Sequence, residues 1–494
     1  MSIRKLVKII IFLSIFAMAM RVSIDTDTWW HLKTGEYIIE NGEIPQTDIF
    51  SHTRFGESWR GASAGWTMQS GLFLIYLNLG YAGLNIFTAC MVTLAFFIIY
   101  KSMSGGEFLK GFILIFAAVV SSVFWAARPY LMTFVLSALT ILILEDYRWK
   151  RKDRLWVIPL IMILWVNSHG GFVYGVIIWG LYGIAEGIIW MGQAKTIKNF
   201  FTKDWFLSGL KGSVGKLLLI GLLMILAISI NPAGPSMLLY PFETVSIAAL
   251  QDFIQEWQSP NFHDINAQPF VWMIIAFLGI FGVSKDKLAL SDFILLGTFT
   301  YMGLLAGRNI AIFALISAPI FSRYAAPLAV KLGDKFNFHG LSDEIPKKPL
   351  RIINIIILIL LFSTVILKMA VVLPTNINQA HVSDYLPSKA IDYLKENPLK
   401  GKILNTYNWG GYLIWEIPEH PVFVDGRTDL YRDEILLEWL GIMKADQGWE
   451  EKLDHWDIDI IFIERNMYLA RELNLDEWGL VYQDEQAVIY TRNQ

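Results

Sequence analysis

Long apolar runs recur along the chain and limit what it can become. A helix that crosses a membrane needs about 20 mostly apolar residues, because the bilayer core offers no water to satisfy backbone N–H and C=O groups. Runs near or approaching that length occupy 6–22, 82–100, 112–125, 130–144, 155–167, 172–190, 217–230, 270–283, 289–305, 310–324 and 352–372. Composition agrees. Of 494 residues, 54% are hydrophobic and only 17% charged, and the mean hydropathy is +0.45, more apolar surface than a soluble fold can bury. The expected fold is a polytopic α-helical membrane protein of about eleven spans. The stretch 65–80, "GWTMQSGLFLIYLNLG", is too short for a span with its own turn and reads as an interfacial helix leading into the second span.

Orientation follows from Lys and Arg in the short loops. If eleven spans alternate, the amino terminus (Arg4, Lys5, Lys8), Lys101 with Lys110, "DYRWKRKDR", the loop 195–216, Lys285 with Lys287, and the loop 323–351 share one side. That side carries 23 basic residues, against six in the opposite loops before residue 360. The amino terminus is therefore placed in the cytoplasm of a prokaryotic plasma (inner) membrane. The first run, with "RKLVK" before it and "AMA" at its end, also has the features of a signal peptide, and the downstream topology is the same in both cases. A net charge of −3 and the lack of nucleic-acid motifs exclude nucleic acid as a partner. The single cysteine, Cys90, excludes an intramolecular disulfide and a thiolate zinc cluster, and is assigned to packing.

After residue 372 the composition turns polar. Short β-rich runs, "GKILNTY", "PVFVDGR", "DIIFIER", "WGLVYQD" and "AVIYTR", alternate with helical patterns such as "SKAIDYLKEN" and "DEILLEWLGIMK". We expect a transmembrane domain over 1–372, with an outer loop at 23–66, and a soluble extracytoplasmic α/β domain over 373–494. Asp425, Arg427 and Asp429 fall in a strand-end loop, where an Asp–Arg pair stabilising the loop competes with a ligand contact.

On the outer side, polar residues collect at one level. "SIDTDTWWHLKTGEYI" puts Asp25, Asp27 and His31 just beyond the first span. Arg128 stands in "ARPY", Asn167 and His169 in "NSHGG", Asn231 in "NPAG", Glu256 in "EWQSP", and Arg308 with Asn309 in "AGRNI". Polar groups at membrane depth are costly and tend to line cavities or pathways, so a shared outer cavity is expected. Asp25 and Asp27 are the catalytic candidates, one as general base and the other as its orienter. The same pair could instead hold a divalent cation such as Mg²⁺ or Mn²⁺, or be a helix-start carboxylate pair. Arg128 and Arg308 suit a phosphate through the planar guanidinium fork, against snorkelling to lipid head groups. His31, Asn167, His169 and Glu256 complete the substrate-binding candidates. Glu256 lies in an acidic loop without basic neighbours, and Trp29 and Trp30 read as an interfacial belt.

The series from "DTWWHLKTGEYIIENGEIPQTDIFSHTRFGESW" through "ARPY", "NSHGG", "NPAG", "EWQSP" and "GRNI" resembles a family of large prokaryotic integral membrane proteins related to the GT-C glycosyltransferases. The resemblance covers most of the chain. It implies an inverting sugar transferase that takes a polyprenyl-phosphate-linked sugar, or a polyprenyl-diphosphate-linked oligosaccharide, on the outer face, with a glycan, lipid or protein as acceptor. It also implies an acidic residue in the first outer loop, the position of Asp25 and Asp27. Members that bind metal often carry a second acidic pair in a later outer loop, and none stands out here. A polymerase or ligase of lipid-linked glycans, and a flippase without chemistry, are the alternative functions.

Overall fold

The computed structural model describes residues 1–22, 25–193, 202–335 and 348–493. Ser23 and Ile24 of the outer loop, Lys195 and Lys198 of one basic loop, and Lys347 of another lie outside the described residues. The first two thirds of the chain is a helical bundle. Its helices are α1 (Ile3–Ala19), α2 (Asp27–Asn41), α3 (Arg60–Tyr100), α4 (Glu107–Ser121), α5 (Tyr130–Lys150), α6 (Val157–Val166), α7 (Val173–Gly192), α8 (Lys203–Lys211) and α9 (Ser213–Ile228). There follow α10 (Tyr240–Val245), α11 (Ala248–Phe253), α12 (Gln268–Val283), α13 (Leu290–Leu305), α14 (Ile310–Lys335) and α15 (Lys348–Val372).

Each of the eleven apolar runs is helical, and the chain is a multi-pass membrane protein. Six described helices are long and apolar enough to cross a membrane, or seven if α8 and α9, bent by 56°, make one span. Helix length alone therefore supports fewer crossings than the eleven expected. The ten residues of α6 rise only about 15 Å, half of a hydrocarbon core. Within α3 the interfacial stretch and the second span are one helix broken at Gly80, whose φ of 56° suits a residue without a Cβ.

Contacts sort the helix ends into two levels. At one end Arg323 pairs with Asp292 and Glu145, while Tyr182 donates to Glu145 at 2.7 Å and Tyr324 to Asp292 at 3.1 Å. This cluster ties α5, α7, α13 and α14 together. Lys216–Asp153 and Lys150–Asp146 lie at the same end. The opposite end gathers 25–59, 125–129, 167–172, 229–267 and 306–309 beneath the carboxy-terminal residues. Cys90 is exposed on α3 rather than packed.

Beyond α15 come α16 (Thr375–Tyr385), α17 (Ser388–Glu396), β1 (Lys402–Asn405), α18 (Gly410–Glu416), α19 (Thr428–Met443), α20 (Trp449–His455), β2 (Ile458–Glu464), α21 (Leu469–Glu472), β3 (Trp478–Gln483) and β4 (Ala487–Arg492). The sheet order is β1-β2-β4-β3, parallel between β1 and β2 and antiparallel elsewhere. Central β2 is almost wholly buried, as its run "IDIIFIE" requires. "PVFVDGR", expected as a strand, does not join this sheet. The Asn405 side chain holds it, accepting from Phe423 N–H and donating to Val424 C=O, both at 2.8 Å. Its other side pairs with 50–52, with Val422 N–H donating to Phe50 C=O at 3.1 Å and His52 N–H to Val422 C=O at 3.0 Å. The core above the bundle is consequently shared. Trp29, Trp30, Leu32 and Trp59 of the loop region pack in one apolar cluster with Leu404, Leu413, Phe423 and Phe462.

Candidate functional site

Asp25 and Asp27 open α2. Asp25 Oδ1 accepts the Asp27 backbone N–H at 3.0 Å, a turn that starts the helix, and leaves Asp27 as its first residue, where the helix dipole favours a carboxylate. Asp27 Oδ1 accepts from Trp30 Nε1 at 3.3 Å, one helical turn on. The short segment before Pro129 and α5 brings Arg128 to the same point. Its Nη1 donates to Asp27 Oδ2 at 3.0 Å, its Nη2 to Glu256 Oε2 at 2.8 Å, and its Nε lies 3.6 Å from Asp25 Oδ2. Arg308 Nη1 is 4.0 Å from Glu256 Oε1, and its guanidinium sits 4.0 Å from the Trp257 ring centroid. Three carboxylates thus face two guanidiniums.

Burial raises the Asp27 carboxyl, the charge of Asp25 adds to the rise, and Arg128 only partly offsets it, so Asp27 is pushed up to about 7. Asp25 is raised as well, by burial first and by Glu256, against the pull of Arg128. Glu256 goes the other way. Burial pushes it up, but Arg128 and Arg308 together bring it down to about 2. Burial and the two arginines hold His169 at about 3, and burial, His169 and Arg128 put His31 well below the usual range. Both imidazoles are neutral, leaving the arginines as the site's cations.

Two cavities meet at this cluster. The larger, about 830 Å³, reaches down between the helix ends and is lined by Asp27, His31, Arg128, His169, Glu256 and Arg308, together with apolar residues such as Val173, Ile177 and Met302. The smaller, about 510 Å³, opens toward the carboxy-terminal residues and takes in Asp25. Asp27, Arg128, Glu256 and Gly426 belong to both. Gly426 lies so close that a Cβ there would fall 1.9 Å from Asp27 Oδ1.

The candidates therefore converge, with one exception. Asn167 serves the scaffold: its Oδ1 accepts from Trp66 Nε1 at 2.8 Å, and its Nδ2 donates to the carbonyls of Ile163 and Ile230 at 2.7 and 2.8 Å. With its Oδ1 also accepting from Asn231 Nδ2 at 3.2 Å, the amide is spent on four partners, and it does not line the larger cavity. His31 and His169 reach the cavity as neutral hydrogen-bonding groups, the first beside Gln69 Nε2 at 3.3 Å and the second beside Thr133 Oγ1 at 2.8 Å. Three expectations are corrected. Glu256 has basic partners, supplied by segments far away in sequence. Arg128 is held by carboxylates and cannot snorkel. Trp29 and Trp30 are buried against Tyr76, Tyr81, Tyr412, Trp415 and Trp59 rather than forming a belt. Tyr240 and Asp429, joined at 3.2 Å, also line the larger cavity; sequence reasoning places Asp429 only in a strand-end loop and misses Tyr240.

Asp25 and Asp27 do not fit a divalent cation as arranged. Both face Arg128, Asp27 Oδ2 at 3.0 Å from its Nη1 and Asp25 Oδ2 at 3.6 Å from its Nε. Among the described residues no group of three or more His, Cys, Asp or Glu side chains is spaced to hold a metal ion.

With this geometry in view, solved structures supply a match. The oligosaccharyltransferase AglB from Archaeoglobus fulgidus, solved with an inhibitory peptide and a dolichol-phosphate, superposes with a TM-score of 0.54 at 12% identity, over 93% of this chain and 69% of that one. Its apo form gives 0.55 at 11% identity, with the same coverage. The fold is of the GT-C type. ArnT from Cupriavidus metallidurans, bound to undecaprenyl phosphate, covers 98% of this chain and 97% of its own at 13% identity, but its TM-score of 0.49 carries no weight. No protein-family model matches the chain, and no curated protein matches it in sequence.

Proposed function

We propose that the chain transfers a sugar from a polyprenyl-phosphate-linked donor to an acceptor on the outer face of a prokaryotic inner membrane, with inversion at the anomeric carbon. The observation that carries this is the junction of Asp27 and Arg128, 3.0 Å apart, where a deep, partly apolar cavity meets a second cavity. The larger cavity suits a lipid phosphate. Its apolar lower wall takes the first prenyl units while the tail stays in hydrocarbon, and Arg308 and Arg128 meet the phosphate. The AglB structure with dolichol-phosphate supports that donor class.

In the step we envisage, Asp27 accepts the proton of the acceptor hydroxyl as its oxygen bonds to the anomeric carbon. The bond from that carbon to the phosphate oxygen breaks, and its electron pair leaves on the lipid phosphate, stabilised by the arginines. Asp25 orients Asp27 through the backbone turn and keeps it basic. Glu256 holds both arginines until phosphate arrives.

The test incubates purified protein with a panel of radiolabelled polyprenyl-phosphate sugars, with and without divalent cations, and follows loss of the lipid donor. Consumption with release of polyprenyl phosphate is expected, and it persists in EDTA. Movement of intact donor between leaflets without consumption would replace the transferase reading with a flippase.

A further inference from the structure

The smaller cavity has a chemistry of its own. Its far wall comes from the carboxy-terminal region: Tyr407 and Asn408 after β1, Trp439 on α19, and Glu464 at the end of β2. The Trp439 Nε1 donates to the Asn405 carbonyl at 2.9 Å, which fixes the indole in the cavity wall. The Tyr407 ring lies 5.9 Å from it at 52°. Two half-buried aromatic rings so held form a platform for the apolar face of a flat, saturated ring. Around them stand groups that bond hydroxyls: the Asn408 amide, Gln255 and the Glu464 carboxylate.

Charge narrows the ligand further. The cavity is lined by the carboxylates of Asp25, Asp27, Glu256 and Glu464, against one guanidinium, Arg128. An anion entering from this side meets four carboxyl groups and one guanidinium, which Asp27 and Glu256 already engage. A cation finds little to bind, because three of the four carboxylates already face Arg128. The fourth, Glu464, has no cation and no hydrogen-bond donor on its carboxylate among the described residues, and burial pushes its carboxyl up. Burial and the charge of Asp27 push the Tyr407 phenol up, so it stands as a hydrogen-bond donor. What fits is an uncharged polyol ring with one hydroxyl directed at Asp27.

Resting on the transferase reading above, we propose that this cavity is the acceptor site and that it takes a neutral sugar residue, stacked on Trp439 and Tyr407, with Glu464 rejecting anionic acceptors. The acceptor is thereby a glycan rather than a phosphate-bearing lipid or a peptide.

The full-length protein, in a detergent without a sugar head group, is loaded with undecaprenyl phosphate and titrated with sugars by calorimetry and ligand-observed NMR. Lactose, maltose and diacetylchitobiose are the neutral probes, sialyllactose the anionic one and chitobiose with free amines the cationic one. At least one neutral probe binds, and the charged probes bind at least tenfold more weakly. Trp439→Ala weakens the neutral probe about tenfold, the worth of one stacked ring, and Trp439→Phe recovers part of that loss. Glu464→Gln keeps neutral binding within about threefold and admits sialyllactose. Undecaprenyl phosphate binds equally in all these variants. Binding of undecaprenyl phosphate with no neutral probe bound would overturn the acceptor site and leave the donor reading standing. Equal binding of a charged probe, or unchanged binding in Trp439→Ala, would overturn it too. Failure of the wild type to bind undecaprenyl phosphate would strike the donor reading instead.

Discussion

Asp27 meets three demands at once: it starts a helix, it pairs with Arg128, and its carboxyl sits near neutrality because it is buried and because the Asp25 charge lies two residues away. A base must be ionised to take a proton. Turnover should therefore rise with pH through about 7 and level off above it. Asp25→Asn removes a charge that raises Asp27, so the rising limb should move to lower pH. A pH–rate profile checks both. Asp27→Asn keeps size and hydrogen bonding but cannot accept the proton, and turnover should fall about 10²- to 10⁴-fold with donor binding retained. Full activity in both Asn variants would return the pair to helix-start structure. For the phosphate, Arg308→Lys keeps charge but loses the planar fork, and affinity for undecaprenyl phosphate should drop about tenfold, more for Arg308→Ala. Wild-type affinity in Arg308→Ala would leave Arg308 a surface cation. These residues were legible in the sequence because carboxylates and arginines at membrane depth have few other uses. Their pairing was not. Glu256 and Arg128 are far apart in sequence, and no local pattern encodes a contact that only chain closure makes.

At the scale of elements, the loop before α19 decides how α2 is held. Arg427 is wholly buried, pairs with Asp48 and with both oxygens of Asp425, and lies 4.8 Å from the Trp59 ring centroid. Burial raises Asp48, but Arg427 and Ser51 reverse the shift and hold it ionised. Arg427→Met leaves two buried carboxylates without a counter-ion and should cost about 3–5 kcal/mol of stability, read by thermal unfolding. Asp48→Asn in the same chain should restore part of it. Gly426 acts by space alone. A methyl there displaces the Asp27 carboxylate, so Gly426→Ala should lower turnover about 10²-fold, out of proportion to any change in melting temperature. Sequence periodicity located α17, α19, β1, β2, β3 and β4, each with a local hydrophobic repeat. It misplaced "PVFVDGR", whose apolar residues are those of a strand but whose hydrogen-bonding partners are an asparagine side chain and residues 50–52.

For the whole molecule, the apolar runs and basic loops make topology the first matter to test. A reporter fused after the carboxy terminus should be active outside the cytoplasm, and one inserted in the 148–154 loop inside it. An inside carboxy terminus would overturn both the eleven crossings and the outer-face site. The domain boundary at 373, a proposal from composition, crosses a shared core: Trp29, Trp30 and Trp59 pack with Leu413 and Phe423, and Gly411 would place a Cβ 2.7 Å from the Thr26 carbonyl. Residues 373–494 expressed alone should therefore show exposed apolar surface and a broad unfolding transition. A sharp one would mean that the domain folds by itself.

By itself the sequence determined the solvent. Apolar runs of spanning length leave a chain no alternative to the bilayer, and short-range patterns of charge and hydropathy carry that information without reference to any fold. It also determined which residue types stand at the helix ends. The tertiary structure alone decided which of them meet. It brought Asp27, Arg128 and Glu256 together, turned Asn167 to the scaffold, and set Gly426 of the carboxy-terminal region against the reactive carboxylate. Contacts between distant segments depend on how helices pack and where the chain closes, and those are properties of the assembled core rather than of any stretch of sequence.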